Sequence, residues 1–244
     1  MKTILIIILI LLILFLLYYF FFRKKKAGTD VKAESAESEQ IADRSIPSDS
    51  DEAAKNLKPV CLDEKSIDIG EKYKRIIAIN LEAPNTENDR ICEYAMVYDD
   101  NGKKYSAVNL VDPETAINHE ATRALIEKAG KCPTFPELWK ELYSLFDGSL
   151  VIAHNTAFDV SVLKKTIAAY GLAFPKFDVA CTYRMSKKYH PELDNFKLGT
   201  VCKFYDIPLD AEDAVSHGNA CYEIFRKLIS EGVSISEEAK EFSL

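Results

Sequence analysis

RIIAINLEAP, residues 75–84, is an apolar run that ends by turning two polar side chains to one side. In an extended strand, residues two apart share a face, so Ile77, Ile79 and Leu81 lie on one side and Ala78, Asn80 and Glu82 on the other. A buried strand whose C-terminal end carries polar groups on one face looks into a site. Outward from it, ICEYAMVYDD (91–100) and KKYSAVNLV (103–111) read as two more strands. Asp100, Asn101 and Gly102 give the hairpin signal between them, so the domain opens as a three-stranded meander. Thr134, Pro136 and Glu137 form a capping box with Pro inside it, ahead of Leu138, Trp139, Leu142, Leu145 and Phe146 at helical spacing. LVIA (150–153) predicts a short buried strand, then a helix over about Phe158–Tyr170 that Gly171 ends. Further helices fit residues 181–188, 198–205 and 213–231. In the last of these Ala214, Cys221, Ile224 and Leu228 make an inward stripe, and His217 falls on it. Strands first, then strands alternating with helices, describe an α/β domain with a mixed sheet and helices on both faces.

Before this domain the composition changes twice. Residues 4–22 carry no charge and are long enough, at about 1.5 Å per residue, to cross a hydrocarbon layer of roughly 30 Å. The apolar stretch exceeds the h-region of a signal peptide and no small-x-small cleavage site follows it, so residues 1–26 read as a transmembrane anchor with a basic flank. Arg23, Lys24, Lys25 and Lys26 follow the span and only Lys2 precedes it, which predicts a single-pass protein whose C-terminal domain faces the cytoplasm. Residues 27–69 are rich in Ser, Ala, Glu, Asp and Lys with no aromatic residue, and read as a disordered acidic linker. Residues 70–244 then form the folded domain.

Charge narrows what that domain does. It carries 27 acidic and 21 basic side chains, a net of −6, so it has no broad basic surface for nucleic acid; any such binding has to be local or metal-assisted. The Lys103–Lys104, Lys164–Lys165 and Lys187–Lys188 pairs read as solvated faces, and Trp139 as a core residue. Cys61, Cys92, Cys132, Cys181, Cys202 and Cys221 show no CxxC spacing and read as free, mostly buried thiols.

Three stretches bring polar groups to the ends of elements: INLE (79–82), VIAHNTAFDVSVL (151–163) and EDAVSHGNA (212–220). In this order and separation they resemble the DEDDh 3′-5′ exonucleases, the family of the proofreading ε subunit and ribonuclease T, over roughly residues 72–230. The resemblance implies an RNase H-like three-layer α/β/α domain with a mixed five-stranded sheet. It also implies two Mg²⁺ or Mn²⁺ ions held by four carboxylates, with a histidine as general base. Carried over, the Asp-x-Glu motif falls on Asn80 and Glu82, and the His-Asn-x-x-Phe-Asp motif on His154, Asn155, Phe158 and Asp159. The closing motif is His, four residues, then Asp. Counted without a gap from Ile207, Pro208 and Leu209, it puts Glu212 at the base and His217 at the last metal ligand. Ala83 stands where relatives often have Thr at the 3′-nucleotide contact, and Phe158 is expected to pack beneath the strand-helix corner.

Asn80, Glu212 and His217 therefore depart from the pattern. Two divalent ions about 4 Å apart repel one another, and only bridging negative charge offsets this, which a neutral amide does not supply. Imidazole suits Mn²⁺ or Zn²⁺ better than Mg²⁺. One reading is a domain that binds single-stranded DNA or RNA 3′ ends, or nucleotides, with catalysis weak or lost. A second is an active exonuclease in which Glu82, Asp159, His217 and Glu212 hold a single transition-metal ion. A third is a protein-interaction module on the same fold, its protein partner unspecified by the sequence. In all three, residues 4–22 are expected to engage a lipid bilayer.

Overall fold

The computed structural model describes residues 59–65, 71–100 and 103–242. Its elements are β1 (Val60–Lys65), β2 (Ile76–Glu82), β3 (Glu93–Asp100), β4 (Lys103–Leu110), α1 (Glu120–Ala129), α2 (Phe135–Phe146), β5 (Leu150–Ala153), α3 (Thr156–Ala169), β6 (Phe177–Cys181), α4 (Thr182–Tyr189), α5 (Leu198–Phe204), α6 (Ala214–Ser230), α7 (Ile235–Glu238) and β7 (Lys240–Phe242). They build one mixed sheet in the order β1-β4-β3-β2-β5-β6-β7. The β2-β3-β4 meander is antiparallel, with Asp100 paired to Lys103 across the hairpin, while β5 runs parallel to both β2 and β6.

The sheet has seven strands where five were expected. Both additions are edge strands. β1 lies in the acidic stretch read as linker and pairs antiparallel with β4, Val60 opposite Ser106 and Cys61 opposite Tyr105. β7 pairs with β6, and its Phe242 stacks 5.3 Å from Phe177. Neither segment carries a strong alternating pattern; each is extended because a neighbouring strand offers it unpaired main-chain groups. The span expected over residues 4–22 lies outside the described residues. Among the described residues no helix is long and apolar enough to cross a membrane.

Alternation along β2 divides the core. Ile77, Ile79 and Leu81 pack on one side with Leu138, Trp139, Leu163 and Ile167 of α2 and α3. Ile76 and Ala78 pack on the other with Cys221, Ile224, Phe225 and Leu228 of α6. All four residues of the expected inward stripe of α6 are buried. Gly218 lets this helix sit close: a Cβ there would meet Val97 Cγ2 at 3.4 Å and the Ala78 carbonyl oxygen at 4.0 Å. The start of α2 is held by the capping box, the Glu137 carboxylate accepting from the Thr134 N–H at 2.8 Å and from its hydroxyl at 3.1 Å.

Lys104 corrects the reading of its lysine pair as solvated. It is 1% exposed beneath α6, where Nζ donates to Asn219 Oδ1 at 3.1 Å and Glu223 Oε1 at 3.0 Å and lies 5.0 Å from the Tyr222 ring centroid. Strand alternation sends it to the helix side, opposite Lys103, which stays exposed. The cysteines are free; Cys61 is exposed, Cys181 half-buried and the other four buried.

Candidate functional site

Because Ala78 faces α6, the same alternation turns Asn80 and Glu82 to that side, at the C-terminal end of β2. Asn80 pairs with Ala95 and Glu82 with Glu93 across β2 and β3. Glu93 is 8% exposed, so two carboxylates stand directly opposite on one face, an arrangement that costs stability unless something else uses it. Glu93 went unread in the sequence because its register with Glu82 depends on the whole β2–β3 loop.

The second wall is the start of α3. Asn155 precedes it with φ 79° and ψ 49°, a left-handed conformation that Asn tolerates better than most residues, and this turns the chain sharply from β5 into the helix. Asp159 then lies in the first turn of the helix. The β2–β5 pairing extends through Ala78 and Ile152, and beyond it the Leu81 N–H donates to Asp159 Oδ1 at 3.0 Å. Burial pushes the Asp159 carboxyl up to about 8; the Leu81 N–H opposes this and the Glu82 charge adds to it.

Asn80, Glu82 and Asp159 are thus brought together, and the donor set can be tested against a pair of divalent ions. Asn80 Nδ2 is buried with no hydrogen-bond partner, and the side chain that the resemblance puts at a metal-ligand position is a neutral amide. Among the described residues, no group of three His, Cys, Asp or Glu side chains is placed to hold a metal. The residues present do not fit the two-ion site that the resemblance implies.

The closing motif is split. His217 sits in the first turn of α6, half-buried, its N–H bonded to the carbonyl of the capping residue Asp213 at 3.1 Å. Glu212 lies in the exposed turn before the helix, where its N–H donates to Asp210 Oδ1 at 3.0 Å. Counting the same five-residue step from His217 lands on Tyr222. That ring is fully buried, and its hydroxyl lies 2.9 and 2.8 Å from the two carboxylate oxygens of Asp99. Asp99 follows Tyr98, the partner of Ile77, so Tyr222 reaches the sheet about 10 Å or more from Asn80 along β2, at about 3.3 Å per residue. On either count no carboxylate on α6 closes the site.

Around these groups the remaining motif residues divide. Ala83 packs partly buried against the core beside Leu81. Phe158, expected beneath the strand-helix corner, is instead 39% exposed, because the first turn of α3 sends Thr156, Asp159 and Val160 inward and leaves position 158 outward. His154 uses both ring nitrogens: Nε2 lies 2.8 Å from the Phe196 carbonyl oxygen and Nδ1 3.0 Å from Thr182 Oγ1. The carbonyl only accepts, so Nε2 carries the proton; the single Thr182 hydroxyl proton lies within reach of both Nδ1 and the Ala153 carbonyl oxygen, which is 3.2 Å away. Burial lowers the His154 pKa to about 4, and the imidazole stays neutral. Thr182 and Phe196 carried no sequence signal of their own, because their role exists only through this long-range contact.

Residues 78–220 match the family model whose description is exonuclease, RNase_T. The chain is 25% identical over 173 residues to the PolC-type DNA polymerase III of Halalkalibacterium halodurans, covering 68% of this chain and 11% of that protein. It is 29% identical over 147 residues to the PolC-type enzyme of Caldanaerobacter subterraneus (58% and 10%), and 26% identical over 169 residues to the 3′-5′ exonuclease DinG of Bacillus subtilis (64% and 18%). The chain therefore spans between a tenth and a fifth of the length of these relatives. Among solved structures, a full-length 3′-exonuclease superposes with a TM-score of 0.54 at 15% identity, covering 71% of this chain and 92% of that one. The rAMP-bound nuclease domain of 3′hExo, a DEDDh family member, gives 0.52 at 14% identity, with 66% and 94% covered.

Proposed function

Because the chain belongs to the RNase_T exonuclease family, with the RNase H-like fold of the DEDDh 3′-5′ enzymes, we propose that this domain binds the 3′ ends of single-stranded DNA or RNA and hydrolyses them weakly or not at all. The family implies dependence on divalent metal ions. The observation that carries the proposal is Asn80: at the bridging position it offers a neutral amide whose buried Nδ2 donor has no partner. Glu212 and His217 compound the loss. An exposed Glu replaces the base, and general-base catalysis is worth about 10²- to 10⁴-fold. An imidazole replaces a carboxylate in a site whose purpose is to neutralise two cations. Phe158, exposed in the first turn of α3 and next in sequence to Asp159, offers a ring for a terminal base.

The relatives include PolC-type DNA polymerases III and the 3′-5′ exonuclease DinG, and the 3′ end named for DinG supports a 3′-end ligand for this domain. Residues 4–22 anchor it in a bilayer with the domain on the cytoplasmic side, a placement supported by the basic cluster Arg23–Lys26. Protease added outside sealed vesicles of known orientation then leaves the domain intact, and its digestion overturns the topology.

Activity is tested with 3′-labelled single-stranded DNA and RNA in Mg²⁺, Mn²⁺ or Zn²⁺. The expected result is salt-sensitive binding with little release of label. Release that disappears in Asp159→Ala would establish a working nuclease in place of this reading, and the absence of both binding and release would favour an interaction module.

A further inference from the structure

We infer that His190 is a positioning residue that latches the loop 190–197 beside the candidate site while its ring carries both protons, and releases the first half of that loop when one is lost. The latch needs no ligand, so it stands independently of the nucleic-acid reading above. Three helix-capping residues meet at it: His190, Tyr205 and Glu231 are the C-caps of α4, α5 and α6. His190 Nε2 lies 2.9 Å from Glu231 Oε2 and 2.6 Å from the Tyr205 hydroxyl, which itself donates to Glu231 at 2.9 Å; Nδ1 lies 3.0 Å from Glu192 in the loop. A carboxylate only accepts, so both ring nitrogens have to donate, and the imidazolium alone satisfies the whole cluster. It also sits at the C-terminal end of α4, where a cation is favoured.

A neutral ring turns a lone pair toward one of the two carboxylates. Glu192, its side chain 59% exposed, is the one free to swing into water, and the start of the loop then loses its tie to the ends of the helices. The far end of the loop is fastened differently. The Phe196 carbonyl accepts from His154, which directly follows β5, and Asn195 Oδ1 accepts from the Lys197 N–H at 3.1 Å and the Thr200 hydroxyl at 2.7 Å. Since His154 is neutral down to about pH 4, that end does not titrate near neutrality. The charges around His190 set the direction. Glu192 from the loop and Glu231 from the end of α6 are both acidic and together outweigh burial, so its pKa lies above the ordinary 6.5, while α5 presents only the Tyr205 hydroxyl. Lys188 of α4 is taken up by Glu238 of α7; Lys187, Asp194, Lys203 and Asp206 lie exposed, and Lys227 lies half-exposed one turn before Glu231. The latch is therefore complete below about pH 6.5 and is lost as pH rises through the raised value.

The test is amide hydrogen exchange of the full-length protein in detergent from about pH 5.5 to 9, corrected for the intrinsic rate at each pH and read by mass spectrometry. In the wild type, protection over residues 187–194, which include the Leu193 N–H bonded to the His190 carbonyl, should fall about fivefold or more as pH rises, while residues 195–201 and α3 stay constant. His190→Gln should show the low protection already at about pH 6 and no transition. Glu231→Gln keeps an acceptor for the ring but removes one of the two charges, so its transition should move to lower pH. Wild-type protection that ignores pH, a His190→Gln protein as well protected as wild type at about pH 6, or an unmoved transition in Glu231→Gln overturns the inference. A loss that spreads equally through residues 195–201 and α3 is general loosening and overturns it too.

Discussion

Replacing Asp159 by Asn should stabilise the protein, and by an amount that grows with pH. Asp159 is 6% exposed and its carboxyl is pushed up to about 8, against about 4 for an unfolded Asp. Between those two values the folded state holds a proton that the unfolded state has released. Stability is therefore fully present below about pH 4 and lost as pH rises, at about 1.4 kcal/mol per pH unit, until the folded carboxyl ionises near pH 8. At pH 7 the accumulated loss is about 4 kcal/mol, from roughly three units at 1.4 kcal/mol each. An Asn keeps the oxygen that accepts from the Leu81 N–H and removes the titration. Urea denaturation of both proteins in chelator-containing buffer from pH 5 to 9 should give curves that diverge steadily and then run parallel above about pH 8. A gap of less than about 1 kcal/mol at pH 8, or one that does not change with pH, would show that burial does not hold this carboxyl neutral.

Tyr222→Phe removes the hydroxyl bonded to both oxygens of Asp99 inside the core and should cost about 1.5 to 3 kcal/mol by urea denaturation, with no change in binding because the contact lies away from the site. His190 joins the C-terminal ends of α4, α5 and α6 through Glu231 and Tyr205 and also bonds Glu192. Burial alone would lower its pKa, but the hydrogen bonds to Glu231 and Glu192 and their charges outweigh this and raise it. Its contribution is thus present below the unfolded histidine value and lost as pH rises through the folded one, so His190→Gln should flatten the melting-temperature profile above about pH 6.5. Asn80→Asp, Glu212→His and His217→Asp together should restore Mg²⁺-dependent release of 3′ label; a well-folded triple variant that remains inert would refute the assignment of positions in the closing motif.

How far the fold was legible can be judged residue by residue. The β2 alternation, the hairpin at Asp100, the Thr134–Glu137 capping box and the inward stripe of α6 are local patterns, and each appears where its periodicity places it. The edge strands β1 and β7 are short and weakly patterned, and their conformation comes from β4 and β6. Lys104 carries a charge that the sequence marks as exposed, and only the position of α6 above β4 explains its burial. The first-turn placement of Asp159 and the face of Asn80 were readable from spacing. The outward turn of Phe158, the Glu93 opposite Glu82 and the grip of Thr182 and Phe196 on His154 were not, since each depends on contacts between distant segments.

β1 has a practical consequence for handling the protein. A fragment trimmed to begin at residue 70 deletes the strand that covers β4 and bares a row of main-chain donors and acceptors on an eight-residue edge. Such a fragment invites edge-to-edge association, and loss of activity in it would report stickiness instead of chemistry. Starting a few residues ahead of Val60 keeps that flank closed.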